Sequence, residues 1–173
     1  MSTTRKASHP RKGAGTLAIV VETPRGSRNK YKYEEKSGRM KLSKVMPEGM
    51  MFPYDFGFVP GTIGEDGDPL DVLVLSDAPT FAGCEVDCRL IGVLEAEQTE
   101  QGKTKRNDRI IAVAEVSILY SGVREIEELD PTLLRQIEAF FVNYQKVRDI
   151  GYKVIARKGS RAAQELVKAG RKN

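Results

Sequence analysis

The hydrophobic positions of this chain change period along its length. From Thr16 the run TLAIVVE is apolar enough for a buried strand. NKYKYEE and GRMKLSKV alternate polar with larger residues around a Lys-Ser-Gly turn and read as a hairpin. Strands are expected again at DVLVL, CEVDCRLIGVLEAE and RIIAVAEV, with the polar TEQGKTKRN between the last two as a loop or hairpin tip. Later the period lengthens. Asp130-Pro131 is an N-cap followed by a proline at the first helical position. Beyond it Leu133, Leu134, Ile137, Phe140, Phe141, Tyr144 and Val147 recur at helical spacing, enough for about five turns. YKVIAR is a short strand, and Ser160 opens a second helix, RAAQELVKA, that Gly170 closes. Strands first and helices afterwards imply an α+β domain, a small barrel with helices packed on it. One stretch fits neither period. PEGMMFPYDFGFVPGTIGEDGDP is too irregular for a long element and too apolar for a solvated loop, and ordered loops of this kind often carry function.

Length and composition agree with one folded domain. The chain has 173 residues, 40% apolar and 30% charged, and no apolar run approaches the roughly 18 residues that would span a bilayer. The first residues, MSTTRKASHPRKGAG, lack the apolar core of a secretory signal, so a cytoplasmic compartment is expected. Residues 1–15 are expected to form a disordered basic tail and 16–173 a single domain. The net charge of +4 is unevenly spread, because residues 1–16 and 153–173 together carry +10 and the middle −6. Basic ends of this kind touch nucleic acid or acidic surfaces, or stay solvated. Cys84 and Cys88 are four residues apart on a strand, about 13 Å, too far for a disulfide, and both are expected to be small buried apolar residues.

Candidate chemistry is concentrated where basic residues vanish. From Val45 to Cys88 there is no Lys or Arg but nine acids, three of them in Asp66-Gly67-Asp68-Pro69-Leu70-Asp71 immediately before an apolar strand. Carboxylates this close raise one another's pKa unless a cation neutralises them, and hard divalent ions are their natural partners. A plain solvated turn is the alternative. An EF-hand is excluded by register: counting from Asp66, the fifth position is Leu70 and the sixth, which should be Gly, is Asp71.

The segment FPYDFGFVPGTIGEDGDPLDVLVL resembles the signature region of the soluble family I inorganic pyrophosphatases. The resemblance extends to IVVETPRGSRNKYKY, CRLIGVLEAE and FFVNYQK, covering roughly residues 16–155. It implies an OB-like five-stranded barrel with helices, hydrolysis of pyrophosphate with Mg²⁺, and a homo-oligomer. By the same resemblance Asp66 and Asp71 are metal ligands. Asp68 accepts a proton from the attacking water, Glu22 acts on metal through water, and Lys30, Lys44, Arg109 and Tyr144 bind substrate. Tyr144 also sits on the helix's apolar stripe and reads equally well as core. Where the family has Glu, Arg, Tyr and Lys, this chain has Lys32, Lys44, Phe56 and Gln145. The family's Asp-x-Lys pattern reads Asn107-Asp108-Arg109 here. Read without a gap, Asn107 takes the ligand position, and Asp108 points to the opposite sheet face. A one-residue bulge would turn Asp108 inward, and Asp108 is the third metal ligand expected. These departures leave room for an altered substrate, a nucleotide or polyphosphate, or for reduced activity. An OB-type nucleic-acid module is the rival of another class, but the acidic body and the lack of a basic, aromatic-interleaved patch outside the tails argue against it.

Overall fold

The computed structural model of the chain describes residues 15–172. The expected disordered tail, apart from Gly15, lies outside the described residues. The elements run β1 (Thr16–Thr23), β2 (Asn29–Glu34), β3 (Arg39–Val45), β4 (Asp55–Phe58), β5 (Asp71–Leu75), β6 (Glu85–Glu100), β7 (Lys103–Arg106), β8 (Arg109–Ala114), a 3-10 turn (Ile126–Glu128), α1 (Pro131–Lys146), β9 (Gly151–Gly159) and α2 (Ser160–Gly170).

Five strands close a ring. Pairing runs β1–β4–β5–β8–β6, and β6 returns to β1. Among the described residues only β5 and β8 pair in parallel, with Val72 beside Ile110 and Val74 beside Ala112. The 16-residue β6 makes closure possible: its first residues pair with β1, its middle with β8 and its last half with β9 and β7. The strand anticipated at YKVIAR is therefore longer, since β9 follows β6 from Gly151 opposite Thr99 to Gly159 opposite Gly92. TEQGKTKRN becomes a tight hairpin tip, because Gln101 and Gly102 both take positive φ, at 49° and 75°, the combination whose twist suits adjoining strands.

Alternation along the strands explains the burial. In β5, Val72 and Val74 join an apolar cluster with Ala163 and Val167 of α2, while Leu73 and Leu75 join a second with Ile137 and Phe141 of α1. Both faces of β5 are covered, which is why DVLVL is apolar throughout. α1 begins as expected: Asp130 accepts hydrogen bonds from the Thr132 and Leu133 amides, at 2.7 and 3.2 Å. Its stripe buries Leu134, Ile137, Phe141 and Tyr144, but Val147 lies past the helix end and is half exposed. Cys88 is fully buried, whereas Cys84 precedes β6 and is only partly so, which corrects its expected burial.

The ring tolerates no side chain at Gly57, where a Cβ would lie 2.1 Å from the Val20 carbonyl oxygen on the paired strand. Gly57→Ala must push β4 away from β1 and is expected to lower unfolding stability by about 1–3 kcal/mol, read as a lower midpoint in urea denaturation.

Candidate active site

A cavity of about 360 Å³ opens at one end of the ring. Two clusters of charge line it, one mainly acidic and one basic, and Lys32 and Arg109 reach into the acidic one. The acidic side comes from β1 and from the loop before β5. Glu22 is 9% exposed and accepts the Tyr33 amide at 2.7 Å. The loop is folded by its own backbone: Gly64 donates to the Asp68 carbonyl at 2.7 Å, and the Asp68 amide donates to Asp66 Oδ1 at 3.1 Å. Gly67, at φ +90°, sits where other residues would be strained. Asp66, Asp68 and Asp71 all line the cavity, and they are the only three of the nine acids between Val45 and Cys88 that do. Others in that window are structural. Asp55 is buried and accepts from the Arg25 and Thr80 amides and the Thr80 hydroxyl, and Asp77 accepts from Ser117, Ile118 and Leu119.

Crowding shows in the acidity of this rim. Burial, followed by the charges of Asp71 and Asp68, pushes the Asp66 carboxyl above its ordinary range. Glu22 is likewise raised, by burial first and by Asp71 among the charges. Two of the acids have protein cations as partners. Lys32 Nζ meets Asp68 Oδ1 at 2.8 Å across an exposed pair, and Arg109 Nη1 meets Asp71 Oδ2 at 2.5 Å.

The basic side is built by the β2–β3 hairpin and α1. Lys30 and Lys44 are direct cross-strand neighbours, an arrangement of like charges that costs stability. Lys44 is held below its ordinary pKa by burial and then by the charges of Arg148 and Lys30. Lys30 Nζ stands over the rings of Phe56 and Tyr144, at 5.3 and 5.5 Å. Tyr144 is 4% exposed and packs in the core, yet its hydroxyl finds no hydrogen-bond partner among the described residues. It is thus both core residue and holder of an unpaired polar atom.

Arg109 joins the two sides. The parallel register of β5 and β8 sets it beside Asp71, and its guanidinium lies 5.5–5.9 Å from the rings of Phe56, Phe141 and Tyr152. Burial alone would favour its neutral form, but the charge of Asp71 turns the balance and holds its pKa raised.

Asp108, expected as a third metal ligand, does not line this cavity, although it lines an adjoining one with Asp66 and Asp71. Its carboxylate accepts from the Ala96 amide at 2.9 Å and from Arg106 at 3.2 and 3.1 Å. It is committed to the β6–β7 arm and is absent from the lining of the cavity that Lys30 and Lys44 share with Asp66. No bulge intervenes, because Asn107 stays in register through its amide to Ala96 O, at 2.9 Å. Asn107 lines the cavity instead, beside Gln98, Gln145 and Arg148. Gln98 and Arg148 carried no motif. Gln145 was noticed only as a departure from a pattern. Glu35 and Lys172 also line the cavity, paired with each other at 3.3 Å.

Comparisons with known proteins agree with this geometry. A family model described as inorganic pyrophosphatase matches residues 19–173. An inorganic pyrophosphatase of Methanosarcina acetivorans is 34% identical over 151 residues, 87% of this chain and 88% of that one. A soluble inorganic pyrophosphatase of Oryza sativa is 38% identical over 84% of this chain and 70% of its own. The crystal structure of the Thermus thermophilus inorganic pyrophosphatase superposes with a TM-score of 0.84 at 33% identity, covering 93% of this chain and 92% of that one.

The raised pKa of Glu22 predicts a pH effect. A carboxyl whose folded pKa lies above its unfolded 4.5 favours folding below that value and loses this contribution as pH rises through the folded pKa. Glu22→Gln, which keeps an acceptor for the Tyr33 amide, is therefore expected to unfold at higher urea than the parent near pH 7.5. The difference is expected to vanish near about pH 4, both measured with chelator present.

Proposed function

Because the chain belongs to the inorganic pyrophosphatase family and is an inorganic diphosphatase, we propose that this cavity hydrolyses pyrophosphate with the help of a divalent ion, Mg²⁺. The observation that carries the reading is the cavity's two clusters of charge: Lys30, Lys44 and Arg148 on the first side, and Glu22, Asp66, Asp68 and Asp71 on the second, where Lys32 and Arg109 pair with two of the four acids. A dianionic phosphate fits the first side and a hard cation the second.

The residues suit such an ion. Among the described residues no three acidic, histidine or cysteine ligands gather around one point. Mg²⁺ does not need them, since one or two carboxylates with water and substrate oxygens complete its shell. Asp66 and Asp71, whose charges oppose each other, are the pair that would hold it, and Glu22 stands near enough to Asp71 to share the repulsion. When bound, a divalent ion supplies positive charge beside the phosphoryl group and makes a neighbouring water more acidic.

The chain's own groups do the rest. Lys30, Lys44 and Arg148 receive the phosphate oxygens, which relieves their mutual repulsion at the moment of binding. Tyr144 is absent from the cavity's lining and its unpaired hydroxyl is buried, so its part is to support Lys30, which stands over its ring. Asp68, exposed at the rim, takes the proton of the attacking water. Its pair with Lys32 orients it and must loosen as the proton arrives. Arg109, locked to Asp71, is oriented by the acid rather than free to swing.

Lys32 on Asp68, with amides at 98 and 107, favours a second reading in which another phosphoanhydride, a nucleotide or polyphosphate, is preferred. A panel of such substrates decides between the two. The homo-oligomer remains a proposal, as does a cytoplasmic location. Among the described residues no helix is long and apolar enough to cross a membrane.

Phosphate release from pyrophosphate is expected with Mg²⁺ and not in chelator. Asp68→Asn is expected to lower kcat by about 10²-fold or more while leaving the Mg²⁺-induced rise in melting temperature intact. Release that is unchanged by chelation or by this substitution would count against the assignment.

A further inference from the structure

Three neutral amides tie the cavity's two guanidinium groups into one hydrogen-bonded chain. Gln98 on β6 accepts at a single oxygen, Oε1, from Asn107 Nδ2 at 2.6 Å and from Gln145 Nε2 at 3.2 Å. Gln145, 3% exposed on α1, accepts in turn from Arg148 Nη1 at 2.8 Å. Asn107 accepts a short hydrogen bond from Arg109 Nη1, the same nitrogen that meets Asp71. Arg148, Gln145, Gln98, Asn107 and Arg109, all lining the cavity, thus form an unbroken line drawn from β6, the β7–β8 junction, the start of β8, α1 and the turn after it. Gln98 is its midpoint and the one member that receives from both directions.

The choice of amides has a physical consequence. A carboxylate at the midpoint would accept the same two hydrogen bonds, but it would add a negative charge close to Arg148, which must attract an anion. An amide oxygen orients without cancelling. No acid among the described residues pairs with Arg148, so its charge stays available while its position is set through Gln145. Fixing a rotamer-rich arginine before the substrate arrives removes an ordering cost from binding.

We propose that Gln98 is a positioning residue for the anionic substrate, setting Arg148 through Gln145 and supporting Arg109 through Asn107. The inference rests on the assignment of this cavity to pyrophosphate. It says which neutral group tunes affinity there.

Gln98→Met keeps the length and shape of the side chain and removes the shared acceptor; Gln98→Asn shortens its reach and guards against a folding defect in the first. Each is expected to raise KM for pyrophosphate about fivefold, the scale of losing a hydrogen bond between neutral groups, with kcat changed less than threefold. Mn²⁺ stoichiometry by calorimetry is expected to stay at the parent value. The decisive reading is a cycle with Arg148→Ala. If Gln98 acts through Arg148, the double variant's KM matches that of Arg148→Ala within about twofold, whereas independent packing losses multiply. An unchanged KM in both Gln98 variants, or multiplied effects in the double variant, overturns the proposal. Should the parent enzyme release no phosphate from pyrophosphate, the substrate assignment is what fails. The same cycle read by calorimetric binding of inorganic phosphate then supports or overturns the role of Gln98.

Discussion

The buried pairing of Arg109 with Asp71 is the interaction around which this site is arranged. Both residues open strands, β8 and β5, and the parallel register of those strands leaves them side by side. Removing a charge of this kind from water is expensive, and losing one partner typically costs about 3–5 kcal/mol. The fold meets that demand from several directions at once, with Asn107, three aromatic rings and the Asp108 carbonyl oxygen all touching the same guanidinium. Because the pair is anchored in the aromatic cluster under α1, the ring, the helix and the cavity cannot move independently of it.

From that anchor follows the division of the cavity. Asp71 is held by a protein cation, yet Asp66 and Glu22, buried and crowded around it, are weakened as acids, with pKa values raised by burial and by the neighbouring charge. On the opposite side the hairpin sets Lys30 against Lys44, and α1 brings Arg148 to them. Each side is unfavourable alone. Together they describe a space that a cation and a polyanion would stabilise jointly, which is the electrostatic condition for cleaving a bond between two phosphates. The amide line connects Arg148 of the basic cluster to Arg109 beside Asp71 and adds order without adding charge.

Much of this was legible in the residues. The period-two runs marked the strands, the Asp-Pro cap and apolar spacing marked α1, and the Asp66–Asp71 block resembled one family strongly enough to name its chemistry. Each of these signals is local, carried by neighbours in sequence whose geometry a strand, turn or helix dictates. The acidic window was a broader clue than the structure supports, because Asp55 and Asp77 are consumed by backbone amides. The Asn107-Asp108 ambiguity shows the limit well. A one-residue shift exchanges the faces of a strand, and nothing in the local pattern says whether a bulge intervenes.

The chain by itself therefore determined the order and type of elements, the family, and the loop of aspartates, since all depend on contacts between residues a few positions apart. Only the tertiary structure decided that Asn107 rather than Asp108 lines the cavity, that Lys32 lies on Asp68, and that Gln98, Gln145 and Arg148 form one connected line. Those facts depend on strand register, on the closing of the ring through β6 and on where α1 comes to rest. Hydrogen bonds act over about 3 Å, and it is the packing of distant segments, not their local pattern, that brings such groups within reach.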